Sequence, residues 1–208
     1  MATPSAPTPL DVAAEAGAGV HGRERILDAA AALFVESGYD ATSLRRLAEL
    51  VGIKAGSLYY HFDSKDDLLT AVLQRGVDVM HRAFDEAERR SAGAPPMERI
   101  EAHVRAHLAA LFEHGPYTAA HVVTFRTAPA AVRDVVLPAR DAYEARWTEL
   151  LLALQAEGAL ADDVDVRVAR LALFGAMNAS VEWFDPARGG LDVFAAAIAR
   201  QFWTGVSA

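Results

Sequence analysis

From His21 onward, apolar and polar positions alternate with the period of an α-helix. Ile26, Ala29, Ala30, Leu33 and Phe34 fall at i, i+3, i+4, i+7 and i+8, which makes one apolar stripe. Gly38 stands where such a helix ends in a left-handed residue. Thr42 and Ser43 can each cap a second stripe, Leu44, Leu47, Ala48 and Val51, which Gly52 closes. A third short helix is expected over 55–61. Ser64 and Asp67 form a capping box that opens a fourth helix, expected from 65 to 90 with Leu68, Leu69, Val72 and Leu73 inside.

The stretch from Ser91 to Pro96 interrupts the pattern. Later helices are expected over 97–113, 117–127, 129–157, 164–184 and 191–204, punctuated by Gly115-Pro116, Gly158, Asp185-Pro186 and Gly189-Gly190. Pro138 is placed to kink or split the longest. With alanine abundant and β-branched residues scattered, the chain reads as all-α. It divides into a disordered tail over 1–20, a small head over 21–66 and a body over 67–208.

Composition narrows the function. The absence of cysteine excludes disulfides, thiolate metal sites and cysteine nucleophiles, and fits a reducing cytoplasm. Met1 to Val20 has neither the basic start nor the continuous apolar core of a signal peptide. No apolar run reaches the roughly 18 residues of a membrane span, so a cytoplasmic protein without membrane contact is expected. A net charge of −8 argues against coating nucleic acid by charge alone. It allows a small DNA-reading head on an acidic body.

The segments 43–51 and 55–61, with glycine between them, have helix-turn-helix dimensions. In the string from Gly52 to Phe62, only Leu58 and Phe62 need face a core. Tyr59, Tyr60 and His61 then project to the other side, where they can bind phosphates. Arg45, Arg46, Lys54 and Lys65 are expected to share that face, with Glu36, Asp40 and Glu49 pointing elsewhere.

The stretch from Arg25 to Leu73 resembles the DNA-binding domain of the TetR family. The matching parts are Ile26 to Ala30, Leu33-Phe34, Gly38-Tyr39, Thr42-Ser43, Ile53, Leu58 to Phe62, Lys65 and Leu68-Leu69. The resemblance implies an N-terminal helix-turn-helix three-helix head joined to a C-terminal helical ligand-binding and dimerisation bundle. It also implies a transcriptional repressor that binds a palindromic double-stranded DNA operator as a homodimer and needs no cofactor. Carried onto this chain, Thr42 and Ser43 contact phosphate, Lys54, Ala55, Gly56 and Ser57 enter the major groove, and Tyr59, Tyr60 and His61 grip the backbone. Lys65 meets a flanking phosphate, Arg46 a phosphate, and Arg45 a base or phosphate.

The body carries two further readings. Val168, Leu171 and Gly175 on one stripe, with Phe194, Ile198 and Phe202 on another, are expected at a two-fold dimer interface. Segments 140–147, 173–178 and 183–186 resemble the branch of the family that governs fatty-acid, phenylacetate or sterol-ring catabolism and commonly senses acyl-CoA thioesters. That implies an apolar slot from Phe112, Val122, Phe125, Trp147 and Phe174, with Arg126 and Arg146 for phosphates and Tyr143 or Asn178 for the thioester carbonyl. Arg133 and Arg140 are further candidates for the phosphates. A drug-like or aromatic effector, or a metal held by His103 and His107, is the open alternative. No G-x-S-x-G elbow, phosphate loop or H-E-x-x-H motif is present, so an enzyme is not expected.

Overall fold

A computed structural model describes the backbone from Pro9 to Ala208, with side chains from Gly22. The tail expected over 1–20 lies outside the residues described in this detail. The described residues form nine α-helices: α1 (Pro9–Ala41), α2 (Leu44–Val51), α3 (Ala55–Leu58), α4 (Lys65–Arg90), α5 (Pro96–Phe112), α6 (Tyr117–Thr124), α7 (Ala130–Ala156), α8 (Val166–Ala179) and α9 (Leu191–Val206). None is long and apolar enough to cross a membrane.

The head forms where the stripes predict. Ile26, Ala30, Leu33 and Phe34 of α1 are buried against Leu47, Val51, Leu58 and Phe62. Gly38 has φ 76° and ψ 168°, a positive-φ turn that leaves the helical path, so the last turn of α1 is set off from the rest. Gly52 takes the left-handed conformation (φ 77°, ψ 34°) and its N–H bonds back to Ala48 O at 2.9 Å, ending α2. Arg25 donates to Val51 O at 2.7 Å, tying that end to α1.

Helix α4 joins head to body. Ser64 caps it by accepting from Asp67 N at 3.0 Å, while the Asp67 carboxylate accepts from Asp63 N at 3.2 Å. Its apolar stripe runs from Leu68 through Val77 to Phe84, buried throughout. Helices α5, α6 and α7 all pack on it, and α6 also packs on α1. Gly76 allows the α4–α6 crossing: a Cβ there would stand 2.6 Å from Tyr117 O.

Two sequence boundaries move. The long helix α7 runs through Pro138 unsplit. The helix expected over 164–184 ends at Ala179, followed by a 3-10 turn Ser180–Glu182. Ser180 is fully buried and its hydroxyl donates to Met177 O at 2.5 Å, which tightens the chain there.

Candidate nucleic-acid interface and effector cleft

The turn after α3 is an exposed polar surface on a buried footing. Leu58 and Phe62 are 2% and 4% exposed, whereas Tyr59 and Tyr60 are 58% and 86% exposed. The helix ends at Leu58 instead of His61, and His61 N and Phe62 N both bond to Leu58 O, at 2.9 and 3.0 Å. Lys54, Ala55, Gly56 and Ser57 lie exposed at its start, with Ser57 N held by Lys54 O at 2.8 Å. Ala55, Gly56 and Ser57 are small and leave the backbone open to close approach.

Ser43 sits beside this surface as the N-cap of α2, accepting from Arg46 N at 3.1 Å. Arg45 is exposed and pairs with Glu49 at 3.1 Å, and Arg46 reaches Glu36 at 3.5 Å and Ser37 Oγ at 3.1 Å. Glu36 and Glu49 therefore do not point away, because a helical i+4 neighbour and the facing end of α1 bring them to the arginines. Lys65 lies 4.1 Å over the Tyr39 ring centre, and its ammonium donates to Asp40 O at 3.4 Å. The Tyr39 hydroxyl donates to Asp66, and burial, aided by this carboxylate, raises its pKa, keeping it a donor.

Thr42 departs from its expected role. Its side chain is buried, and its hydroxyl donates to Gly38 O at 2.8 Å. It holds the turn that Gly38 opens, so it presents no hydroxyl to solvent.

The residues expected to line one slot separate into three groups. Tyr143, Trp147, Phe174 and Asn178 converge on His107. Tyr143 donates to His107 Nδ1 at 2.8 Å, and His107 Nε2 donates to Asn178 Oδ1 at 2.9 Å. Burial holds the ring neutral, its pKa pushed down to about 4. Phe125 instead stacks on His121, ring centres 5.1 Å apart, with the Arg140 guanidinium 4.7 Å from its ring centre and half-buried Val122 nearby in sequence. Phe112 packs against Phe184, 5.3 Å between centres.

The cations expected for phosphates are engaged or remote. Arg146 pairs with Asp85 at 2.6 Å and Glu88 at 3.1 Å, its guanidinium 4.2 Å over Phe84. Arg140 pairs with Glu144 at 2.7 Å, Arg133 donates to Ala128 O at 2.6 Å, and Arg126 is exposed outside the cluster. His107 has both ring nitrogens bonded, so neither is free for a metal. The described residues hold no group of three or more His, Cys, Asp or Glu able to bind one.

Sequence reasoning missed a cleft of about 770 Å³ between α4 and α5. It is lined by alanines such as Ala83 and Ala106, by Arg75, Arg82, Arg90 and Arg105, and by Glu86 and Glu113. The signal was present as a second helical stripe on α4: positions 75, 79, 82, 83, 86, 87 and 90, small or charged with three arginines among them, recur at helical spacing.

On α8, Val168 and Leu171 are exposed, as are Gly175 and Ala179, forming one apolar face. On α9 the exposed apolar positions include Val193 and Ala197. Phe194, Ile198 and Phe202, expected at the interface, are half-buried and pack on the chain's own core, with Phe194 stacked on Phe184 at 4.3 Å. Adjacent apolar positions on α9 left the outward stripe ambiguous by one residue.

Two family models cover this architecture. Residues 26–72 match the bacterial regulatory proteins of the tetR family, and residues 93–206 match the tetracyclin repressor-like C-terminal domain. The chain belongs to the tetR family of bacterial regulatory proteins. It is thus a DNA-binding transcriptional regulator and not an enzyme. It is 29% identical over 171 residues to the HTH-type transcriptional repressor KstR2 of Mycolicibacterium smegmatis, covering 79% of this chain and 80% of that one. The crystal structure of SCO3833, a TetR-family member from Streptomyces coelicolor A3, superposes with TM-score 0.72 at 32% identity, over 86% of this chain and 90% of that one. The structure of AibR in complex with isovaleryl coenzyme A and operator DNA shares the fold, with TM-score 0.74 at 23% identity over 85% and 94%.

Proposed function

We propose that this tetR-family chain is a homodimeric repressor that leaves a palindromic operator when an acyl-CoA thioester binds its body. The observation that carries the reading is the exposed surface from Lys54 to Ser57 and Tyr59-Tyr60, fixed on the buried anchors Leu58 and Phe62. Such a surface on a three-helix head suits small residues for entering the groove and phenols for meeting the phosphates. Ser43, Arg45, Arg46, His61 and Lys65 flank it. Thr42 acts one step behind, by shaping the turn that carries Ser43.

A dimer is supported by the apolar face of α8 with Val193 and Ala197 of α9, since two such helix pairs form a four-helix interface about a two-fold axis. The two heads then meet successive major grooves. Repression is supported by the likeness to KstR2.

The acyl-CoA class is supported by three features. AibR, which shares the fold, was solved with isovaleryl coenzyme A. Aromatic rings around His107 give the body an apolar interior. The arginines of the α4–α5 cleft supply cations for phosphates. A ligand acts only through its preference for the arrangement that cannot hold DNA.

Fluorescence anisotropy on the protein's upstream DNA, with a panel of acyl-CoAs and the matching free acids, tests the class. Release by a thioester and not by its acid is expected. Binding that no thioester releases contradicts the effector reading and leaves the DNA reading intact.

A further inference from the structure

The α4–α5 cleft and the joint between head and body share two residues. Arg75 lines the cleft and donates to Glu24 of α1. Tyr117 also lines it and donates to Asp28 of α1 at 2.5 Å. The Arg75 guanidinium lies 4.5 Å from the Tyr117 ring centre, so the two contacts form one unit. Arg105 is held by Glu113 and Asp192, and Arg90 by Glu86. Arg82 is exposed and enters no ion pair among the described residues.

Four arginines and two glutamates line the cleft in a chain of net charge −8, and Glu24 and Asp192 pair with Arg75 and Arg105 from beside it, which leaves Arg82 as the lining cation without an ion pair among the described residues. We propose that this cleft binds the phosphorylated nucleotide end of the effector, and that the phosphates draw Arg75 away from Glu24, untying the head from the body. The proposal rests on the acyl-CoA reading above and assigns its polar half a place. Arg82, having no partner to give up, is the entry contact. Arg75 is the switch, because its present partner is an acid on the DNA-binding head. Tyr117 stays protonated through burial and its bond to Asp28, so it remains a donor. By linkage, whatever weakens the Arg75–Glu24 pair strengthens ligand binding.

Isothermal titration of the full-length protein with coenzyme A tests this, with operator binding measured on the same samples. Arg82→Ala is expected to weaken coenzyme A about tenfold, the loss of one charge-assisted contact. Glu24→Gln is expected to tighten it roughly threefold, since a part-exposed competitor is neutralised. A purely structural role for Glu24 predicts no tightening. Unchanged affinity in both variants, or no coenzyme A binding by wild-type protein that still binds its operator, overturns the cleft assignment. If acyl-CoAs release the operator equally from wild type and both variants, the effector class stands and this site falls. Loss of operator binding in the wild type itself sinks the underlying reading instead.

Discussion

Tyr117 of α6 donates its hydroxyl to Asp28 of α1 at 2.5 Å, so a buried ring of the body holds the first helix of the head. The Arg75 guanidinium lies 4.5 Å from the ring centre, and the Tyr117 backbone is set by the close crossing of α4 and α6 at Gly76. Head and body are therefore joined by hydrogen bonds as well as by the continuous helix α4. Tyr117→Phe keeps the ring and deletes the bond. We expect about 1–2 kcal/mol of lost stability in urea denaturation, with the α4–α6 packing retained.

The DNA face separates structural from contacting residues by a salt experiment. Thr42→Val removes the hydroxyl that bonds Gly38 O while keeping the shape. It is expected to cost about 1 kcal/mol of stability and to leave the salt dependence of operator binding unchanged. Lys54→Ala, at the exposed start of α3, is expected to leave stability within about 0.5 kcal/mol. It should lower the slope of log K against log salt by about 1. Equal slopes and equal operator affinity for wild type and Lys54→Ala would remove Lys54 from the DNA-contacting set.

The head was legible because its periodicity and its caps agree. Leu58 and Phe62 were identifiable as anchors from their i, i+4 spacing, and Gly38, Gly52 and Ser64 fell where the chain turns. Thr42 was misjudged because a hydroxyl ahead of a helix can cap forward or bond back, and only the positive-φ turn at Gly38 decides between them. In the body the same aromatic stripes serve core and pocket alike. Trp147 and Phe125 belong to different clusters, set by which helices α5 and α6 meet, and that is a long-range property. Arg75 pairs with Glu24 across 51 positions, a relationship no local pattern contains.

Three buried histidines, His103, His107 and His121, make stability depend on pH, the pKa of each lowered chiefly by burial. His107 and His121 are held neutral, each with its pKa pushed down to about 4 from 6.5, chiefly by burial. In the unfolded chain they protonate near 6.5, so between 6.5 and about 4 the unfolded state binds more protons and stability falls as pH falls. Each is expected to cost on the order of 3 kcal/mol by the lower end of that window. His107→Asn should flatten the part of the decline due to that ring, measured by thermal melts from pH 7 to pH 4.5. An unaltered pH profile in that variant would contradict a neutral buried ring.

The exposed face of α8 gives a prediction about assembly. Leu171 is 52% exposed, so Leu171→Asp has little to disturb within one chain. It is expected to keep its helical circular dichroism and shift to a monomer in analytical ultracentrifugation. Operator affinity should drop by at least tenfold because the second head is lost. A variant that stays dimeric would move the interface elsewhere.

In the function proposed above, the surface around Lys54 to Tyr60 reads operator DNA. The most direct test of this role is an anisotropy titration of wild type and Tyr60→Ala on the protein's upstream DNA at two salt concentrations. Tight, salt-sensitive binding by wild type and a loss of about tenfold in Tyr60→Ala at lower salt are expected, with the fold unchanged. Equal affinity of the two proteins for that DNA would contradict this role.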